Sequence, residues 1–357
     1  FEWVGSSLVV TPKKLQGPAQ IDCGLAGTVM RFVPPLAALA IGEISFDGDE
    51  GARRRPMHTT IDSLRALGVE VEANTKALPF RVIGHGSIRG GELEIDASAS
   101  SQFVSGLLLA AARFEEGLTL RHIGAQLPSL PHIEMTIETL RHRGVVAKAL
   151  DEITWRVEPG EIRGGRVVIE PDLSNAGPFL AAAMVAGGKI SIPNWPIQTT
   201  QVGNEFLNIL PMMGASVKLE KNVLSVSSSG AIHGIDIDLS IGGELAPVIA
   251  ALAALADSRS QLRGIAHLRG HETDRLKALS TEINRAGGKA LETSDGLVIE
   301  PAELHGCIWE TYEDHRMATA GAIIGLKVPG IVVENIETTS KTMPEFAKLW
   351  EEMLEAK

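Results

Sequence analysis

Four basic side chains stand next to the starts of apolar, helix-like segments. They are Arg55, Arg275, Arg316 and Lys341. Pro56 follows Arg55 and is typical of a first helical position, so the guanidinium is expected beside a helix N-terminus. Helix N-termini and guanidinium groups both attract carboxylates and phosphates. The pattern predicts a ligand with several negative charges.

Hydroxyl and amide groups precede another apolar segment. Ser100, Ser101 and Gln102 come directly before a run of Val, Leu and Ala. One serine is explained as a helix cap, but two serines and a glutamine exceed what a cap needs. Hydroxyls together with free backbone N–H groups are suited to a phosphate.

Acid–base groups lie at the same kind of junction. Glu244 follows two glycines at a helix start, where it is either a favourable N-terminal carboxylate or a general base. Glu272 and Arg275 are three residues apart and share one helix face, so one could move a proton while the other binds an anion. His315 and Arg316 oppose the helix dipole, which indicates a negative partner there.

The elements that position these residues recur at a nearly constant interval of about 70 residues. Each repeat has a polar cluster, an apolar helix-like run, a glycine and a β-branched strand. The copies begin near Gly27, Ser101, Asn175, Glu244 and His315. Repeat geometry is expected to bring these junctions to one cleft.

A second series of helices alternates with the first. In each, a helical apolar pattern ends at a glycine suited to the left-handed C′ position and is followed by a strand. These glycines are Gly68, Gly144, Gly214 and Gly287. A fresh repeat opens with a strand at residues 167–170. The chain is therefore predicted to be α/β, with a first domain over residues 1–168 and a second over 169–357.

Composition narrows the classes of function. The 357 residues are 44% hydrophobic with a net charge of −11, which argues against a nucleic-acid surface. No apolar run is long enough to span a membrane. Cys23 and Cys307 are expected to be reduced thiols in a cytoplasmic protein. Metal-ligand spacing, a Walker loop and GxGxxG are absent from the sequence, so neither metal nor cofactor is expected.

Seven short segments together resemble the EPSP synthase family, which makes 5-enolpyruvylshikimate 3-phosphate, and in particular its actinobacterial branch. They lie, in family order, at residues 25–31 (Leu-Ala-Gly-Thr-Val-Met-Arg), 55–57 (Arg-Pro-Met), 100–103 (Ser-Ser-Gln-Phe), 128–133 (Pro-Ser-Leu-Pro-His-Ile), 272–276 (Glu-Thr-Asp-Arg-Leu), 314–318 (Asp-His-Arg-Met-Ala) and 341–344 (Lys-Thr-Met-Pro).

The resemblance implies two globular domains built from βαβαββ units. It also implies the reaction, in which the 5-hydroxyl of shikimate 3-phosphate attacks C2 of phosphoenolpyruvate and phosphate leaves. The implied phosphoenolpyruvate ligands are Gly27, Arg55, Gln102, Arg275, Arg316 and Lys341. The implied shikimate 3-phosphate ligands are Ser100, Ser101, Gln102, Ser129, Glu244 and His271. Glu244 is implied to take the hydroxyl proton, Glu272 to protonate the methylene carbon and His315 to assist.

The chain departs from the family pattern in four respects. Leu25, Glu244 and His271 stand where many members have Asn, Asp and Lys, and all three fit the actinobacterial branch. The family's opening Gly-Ser-Lys-Ser segment has no counterpart here, so one repeat is expected to be largely missing and the chain as given to be impaired. Gly27 matches the glyphosate-sensitive members.

Two other functions stay open at this point. The related UDP-N-acetylglucosamine enolpyruvyl transferase shares the repeat, but it relies on a cysteine in a mobile loop, which neither Cys23 nor Cys307 resembles. A non-catalytic fragment is the other alternative. The expected partners are small anionic substrates, and the protein is expected to be a monomer.

Overall fold

The chain folds as two compact units. The computed structural model describes residues 1–125 and 127–355. The first unit comprises Phe1–Leu127 and Ile133–Gly165, and the second comprises Pro128–His132 and the residues from Arg166 onward. The second unit thus begins three residues before the predicted position 169. It also takes Pro128–His132, which the sequence placed in the first domain.

The first unit contains paired strands and two main pairs of helices. Its strands are β1 (Glu2–Val4), β2 (Ser7–Val9), β3 (Ala19–Asp22), β4 (Ile41–Asp47), β5 (Glu70–Ala73), β6 (Phe80–His85), β7 (Gly91–Ile95), β8 (Leu118–His122), β9 (Ala147–Ala149) and β10 (Thr154–Val157). Its helices are α1 (Gly27–Ala37), α2 (Glu50–Arg53), α3 (His58–Ala66), α4 (Gln102–Ala111) and α5 (Leu130–His142), of which α5 begins in the segment that packs with the second unit.

Two four-stranded sheets of the first unit have the same topology. The strand orders are β3-β4-β6-β5 and β7-β8-β10-β9. In each sheet the first two strands are parallel and the remaining pairs are antiparallel. In chain order, one helix connects the first strand of each sheet to the second, and another connects the second strand to the third. Each sheet with its helices is therefore one βαβαββ unit, as the repeat predicted.

Ring stacking between strands and close packing of two helices contribute to the core of the first unit. The rings of Phe46 and Phe80, partners in the β4–β6 register, stack with centroids 5.1 Å apart. Helix α4 approaches α1 so closely that a Cβ on Gly106 would lie 2.3 Å from the carbonyl oxygen of Arg31. Because glycine has no side chain, the two helices can pack at this distance and bring their N-terminal residues together.

The second unit repeats the same elements with shorter strands. Its strands are β11 (Gly188–Pro193), β12 (Ser216–Glu220), β13 (Val223–Ser228), β14 (Asp236–Asp238), β15 (Ser260–Arg263), β16 (Lys289–Glu292), β17 (Leu297–Glu300), β18 (Ile308–Trp309) and β19 (Val332–Val333). Its helices are α6 (Leu173–Ala186), α7 (Phe206–Met212), α8 (Ala246–Ala254), α9 (Arg275–Arg285), α10 (His315–Gly325) and α11 (Phe346–Glu355).

One sheet of the second unit is a complete copy of the repeat. Its order, β14-β15-β17-β16, matches the sheets of the first unit, with β14 parallel to β15. The β11-β13-β12 sheet has three strands. The strand predicted at residues 167–170 does not form: Val167, Val168 and Ile169 are exposed and outside any sheet. A β-branched run is an insufficient signal without a neighbouring strand to bury it.

Helix ends follow the predicted chemistry. Five helices begin within a few residues of the positions given by the first repeat series. They are α1, α4, α6, α8 and α10. The glycines of the second series all have positive φ: 82° at Gly68, 80° at Gly144, 103° at Gly214 and 89° at Gly287. The repeat therefore predicted both the elements and their left-handed ends. Among the described residues, no helix is long and apolar enough to cross a membrane.

Candidate active site

The residues singled out from the sequence fall into two clusters, one in each unit. The first unit holds Gly27, Arg55, Ser100, Ser101 and Gln102, and the second holds Ser129, Glu244, His271, Glu272, Arg275, His315, Arg316 and Lys341. Most lie within three residues of a helix N-terminus. The repeat explains this placement, because it uses the same strand-to-helix junction many times.

Arg55 lies against the N-terminus of α1. Its Nη1 donates to the carbonyl oxygen of Leu25 at 3.2 Å. A Cβ on Gly27 would lie 2.8 Å from Arg55 Nη2. Glycine thus lets the guanidinium approach the free N–H groups of the first turn. The helix predicted to start at Pro56 begins at His58 instead, so Arg55 owes its position to the turn after α2.

The start of α4 is held by a buried arginine that the sequence analysis gave no role. Arg31 Nη1 donates to Gln102 Oε1 at 2.7 Å and to Ser100 Oγ at 3.3 Å. Its guanidinium carbon lies 4.8 Å from the centre of the Phe103 ring. Ser101 occupies the N-cap position, but its side chain makes no capping hydrogen bond. Ser100 Oγ instead accepts a hydrogen bond from the backbone N–H of Gln102 at 3.3 Å, so one serine serves the helix end, as expected, and it is Ser100.

In the second unit, Arg275 is buried between carboxylates. Its Nε donates to Asp314 Oδ2 at 2.7 Å, and its Nη2 donates to Glu272 Oε2 at 2.8 Å. Burial alone would lower the pKa of Arg275, but Asp314 and Glu272 outweigh it and raise that pKa. Arg275 Nη1 also lies 3.0 Å from His271 Nδ1. This arginine is fixed in a single orientation before any ligand binds.

Glu272 is held as a carboxylate. Besides Arg275, it accepts a hydrogen bond from Lys341 Nζ at 2.5 Å. Burial favours the protonated acid, but the charges of Arg275 and Lys341 outweigh it and hold the pKa of Glu272 well below its usual range. The predicted contact between Glu272 and Arg275 is thus present, but Glu272 lies in the bend before α9 and not on the helix, and Lys341 pairs with the same carboxylate.

Among the described residues, Arg316 differs from Arg275 in having no carboxylate against its guanidinium. Its Nη2 donates to Ser174 Oγ at 3.1 Å, which joins the N-termini of α10 and α6. Within the described part of the chain, no carboxylate lies within 4 Å of its guanidinium nitrogens. Burial and the nearby charge of Arg275 lower the pKa of Arg316. Such a cation favours an anionic ligand.

Glu244 is paired with a histidine. It lies in the 3₁₀ turn before α8, and its Oε1 is 3.1 Å from Nε2 of His132. Burial acts to raise the pKa of Glu244, but the hydrogen bond and charge of His132 outweigh it and lower that pKa. His132 lies in the first turn of α5, three residues after Ser129, whose φ of 53° is left-handed.

Two more histidines near these groups are neutral. Burial, followed by the charge of Arg316, lowers the pKa of His315 to about 4. Burial likewise lowers the pKa of His267. In the described structure, neither His315 Nδ1 nor His267 Nε2 has a hydrogen-bond partner. Neutral imidazoles at these positions avoid adding charge beside Arg275 and Arg316.

A sequence model of the family described as EPSP synthase (3-phosphoshikimate 1-carboxyvinyltransferase) matches residues 3–350. The chain belongs to the EPSP synthase family. It is 58% identical over 356 residues to a relative from Kocuria rhizophila named 3-phosphoshikimate 1-carboxyvinyltransferase. That match covers 98% of this chain and 80% of the relative. The resemblance seen in the seven short segments, including its actinobacterial character, is confirmed.

Solved structures support the same fold. Two structures of EPSP synthase from Acinetobacter baumannii match with TM-scores of 0.75 and 0.72, at 23% and 22% identity. Each match covers 94% of this chain and 79% of the other. The predicted two-domain fold of repeated βαβαββ units is therefore confirmed for this EPSP synthase family member.

Sequence reasoning missed three side chains that shape the clusters of this family member. Arg31, His132 and Asp314 all lay inside the motifs but received no role. Arg31 could have been found as a charged residue one turn after Gly27, on a helix otherwise apolar on that face. Asp314 could have been found as an N-cap, because it accepts from Arg316 N at 2.8 Å. For His132 no pattern in the sequence pointed to Glu244.

Proposed function

We propose that this protein transfers the enolpyruvyl group of phosphoenolpyruvate to the 5-hydroxyl of shikimate 3-phosphate and releases phosphate. This is the reaction of the family to which the chain belongs. The observation that carries the proposal is Arg316, a partly buried guanidinium without a carboxylate partner in the described structure. An anionic substrate would supply the missing negative charge.

Six residues are proposed as ligands of phosphoenolpyruvate. In the second unit these are Arg275, Arg316 and Lys341. In the first unit they are Arg55, Gln102 and the backbone at Gly27. Arginine suits this substrate because its planar fork binds carboxylate and phosphate with two hydrogen bonds and keeps its charge. Arg55 and the N-terminus of α1 lie close together and could bind one anionic group.

Shikimate 3-phosphate is proposed to bind through hydroxyl, amide and acid–base groups. In the first unit these are Ser100, Ser101 and Gln102, and in the second they are Ser129, Glu244 and His271. The hydrogen bonds from Arg31 support this proposal, because they fix the Ser100 hydroxyl and the Gln102 amide at the start of α4. Preorganised donors bind a phosphate without the cost of ordering them.

The chemistry then needs a proton to leave the hydroxyl and a proton to be added to C3 and removed again. As the 5-oxygen bonds to C2, Glu244 takes the hydroxyl proton and C3 gains a proton. As the C2–O bond to phosphate breaks, C3 returns a proton to Lys341 through Glu272, and phosphate leaves. Glu272 is a carboxylate against Lys341, so a proton delivered through Glu272 would come from the Lys341 ammonium. His315, neutral and adjacent to Arg316, would assist the transfer.

Two alternatives are weaker. A UDP-N-acetylglucosamine enolpyruvyl transferase would need a reactive cysteine. Burial, together with Asp22 and Asp47, raises the pKa of Cys23 to about 11, and burial also raises the pKa of Cys307. Both thiols are free and protonated at neutral pH. A non-catalytic role gives no reason for the preorganised Arg275, Glu272 and Lys341.

The remaining properties are also proposals. Two free thiols fit a reducing compartment, so we place the protein in the cytoplasm. Both proposed substrates are small anions that can bind within one chain, so a monomer suffices for the reaction. Nucleic acid and membrane are not proposed as partners, because the net charge is −11.

A substrate-choice assay tests the function. Phosphate release is measured with phosphoenolpyruvate and either shikimate 3-phosphate or UDP-N-acetylglucosamine as acceptor. We expect release with shikimate 3-phosphate only, and its loss in Arg316→Ala but not in the exposed control Arg53→Ala. Release that depends on UDP-N-acetylglucosamine, or no release with either acceptor, would overturn the proposal.

A further inference from the structure

His132 lies against Glu244, the proposed general base, but has no role in the proposed reaction. Nε2 of His132 lies 3.1 Å from Oε1 of Glu244. The Glu244 side chain is 16% exposed and that of His132 is 36% exposed, so the pair is partly shielded from water and screening is reduced. The backbone positions His132 firmly, since its N–H donates to the carbonyl of Ser129 at 3.0 Å.

We propose that His132 is a positioning residue for the reaction: through its hydrogen bond to Glu244, it takes up the proton that Glu244 removes from the substrate hydroxyl. The inference rests on the proposed function and deepens the role of Glu244. In the step, the 5-O–H bond breaks and the oxygen bonds to C2. The step uses the tautomer of neutral His132 that carries its proton on Nδ1. The hydroxyl proton moves to Glu244, whose new O–H donates to Nε2 of His132, and then moves onto Nε2, which leaves Glu244 a carboxylate beside an imidazolium.

The charges around the pair support this direction of transfer. Burial acts to lower the pKa of His132, but the hydrogen bond and charge of Glu244 outweigh it and raise that pKa, against the opposing charge of Arg316. The pKa of Glu244 is lowered by the same pair. A carboxylate alone would be a weak proton acceptor here, whereas the imidazole beside it is a stronger one near neutral pH.

Two titratable groups near His132 do not compete with it for this proton. They are Arg316, at the start of α10, and His267, in the 3₁₀ turn before α9. Arg316 already carries its proton. Burial keeps His267 neutral, and the charges of Arg275 and His132 lower its pKa further against the opposing effect of Glu244. His132 is thus the better acceptor of the two imidazoles near Glu244.

The pH profile of catalysis is the main test, with His132→Gln and the control His142→Gln. His142 lies on the same helix, but its side chain is 70% exposed and it is outside the clusters. For the wild type, we expect kcat/KM for shikimate 3-phosphate to rise with pH through one ionisation above about 6.5. In His132→Gln that limb should vanish and kcat should fall by about tenfold or more, while KM for phosphoenolpyruvate changes by less than about threefold.

The control variant should keep the wild-type profile. If His132→Gln retains the rising limb, the inference is overturned while the proposed function stands. If the wild type does not convert the two substrates at all, the proposed function fails and this inference fails with it. A thermal melt of His132→Gln separates misfolding from a loss of proton transfer.

A measurement without turnover tests the pairing itself. In protein labelled with ¹⁵N-histidine, the ring nitrogens of His132 are titrated by NMR in the wild type and in Glu244→Gln. The variant removes the charge that raises the His132 pKa but keeps its burial and Arg316, so the midpoint should shift to lower pH. An unchanged midpoint would show that Glu244 does not control His132, and the inference would be wrong.

Discussion

Asp314 Oδ2 accepts a hydrogen bond from Arg275 Nε at 2.7 Å, with both side chains almost fully buried. The same carboxylate accepts from the backbone N–H of Arg316 at 2.8 Å. One side chain therefore orients the α9 arginine and caps the helix that carries the second arginine. Two of the cations proposed to bind phosphoenolpyruvate, Arg275 and Arg316, are therefore both positioned by Asp314.

Asp314→Asn should destabilise the protein. Removing one partner of a buried ion pair leaves an uncompensated charge, at a cost of about 3–5 kcal/mol. Urea denaturation followed by tryptophan fluorescence measures the change. Asp236→Asn is the matched control, because Asp236 pairs with Arg263 at the surface, where an ion pair contributes about 0–1 kcal/mol. Equal losses in the two variants would refute the structural role of Asp314.

Arg316→Ala should weaken phosphoenolpyruvate binding by about 2–5 kcal/mol, because it removes a charge-assisted partner in a partly desolvated site. Arg316 has no ion pair in the described structure that the variant would break, so the fold should survive. Isothermal titration with phosphoenolpyruvate in the presence of shikimate 3-phosphate gives the affinity. Arg53→Ala is the control, because Arg53 pairs with Asp47 at the exposed surface and its removal should leave the affinity nearly unchanged. Similar affinities in both variants would reject the division into site and surface.

The sequence predicted most of the fold because each repeat can be recognised from local patterns of apolar residues and glycines. Apolar periodicity set the helices, and glycines such as Gly68 and Gly287 set their ends. The strand at residues 167–170 was wrong because strand formation depends on a partner, which the local pattern does not contain. The start of α3 was wrong by two residues because proline is also compatible with the turn before a helix.

The residues of the candidate site could be proposed from the sequence, but most of their contacts could not. Motif spacing predicted the contact between Glu272 and Arg275, which forms although Glu272 lies in the bend before α9 and not on the helix. His132 and Glu244 are more than a hundred positions apart, and their contact depends on how α5 and α8 begin. The same holds for Arg275 and Asp314. Long-range pairings of this kind follow from packing, which a single sequence does not display.

Gly27→Ala should raise KM for phosphoenolpyruvate. The new methyl carbon would lie 2.8 Å from Arg55 Nη2, so the guanidinium must move away from the helix N-terminus. Since Gly27 matches the glyphosate-sensitive members of the family, competitive inhibition by glyphosate should also weaken. Steady-state kinetics with and without glyphosate give both values. Gly160→Ala is the control, because a Cβ there meets nothing within 4 Å. Unchanged inhibition in Gly27→Ala would contradict the placement of Arg55.

Stability should decrease in mild acid because of His315. Its pKa is lowered to about 4 in the folded protein, whereas the unfolded chain takes up this proton near pH 6.5. Between these values the unfolded state binds more protons, so the free energy of unfolding falls as pH falls, by up to about 3 kcal/mol. His315→Gln should flatten this slope in urea titrations at several pH values, and the exposed control His85→Gln should not. A slope unchanged in His315→Gln would show that His315 is not buried in its neutral form.

The central claim is the transfer itself, and ³¹P NMR of one reaction mixture tests it most directly. The protein, treated with EDTA, is mixed with equal amounts of phosphoenolpyruvate and shikimate 3-phosphate. We predict that the phosphoenolpyruvate signal is replaced by inorganic phosphate, while the shikimate 3-phosphate signal is replaced one for one by a new phosphomonoester. Phosphate formed without loss of the shikimate 3-phosphate signal, or a reaction that starts only when a metal is added back, would contradict the account.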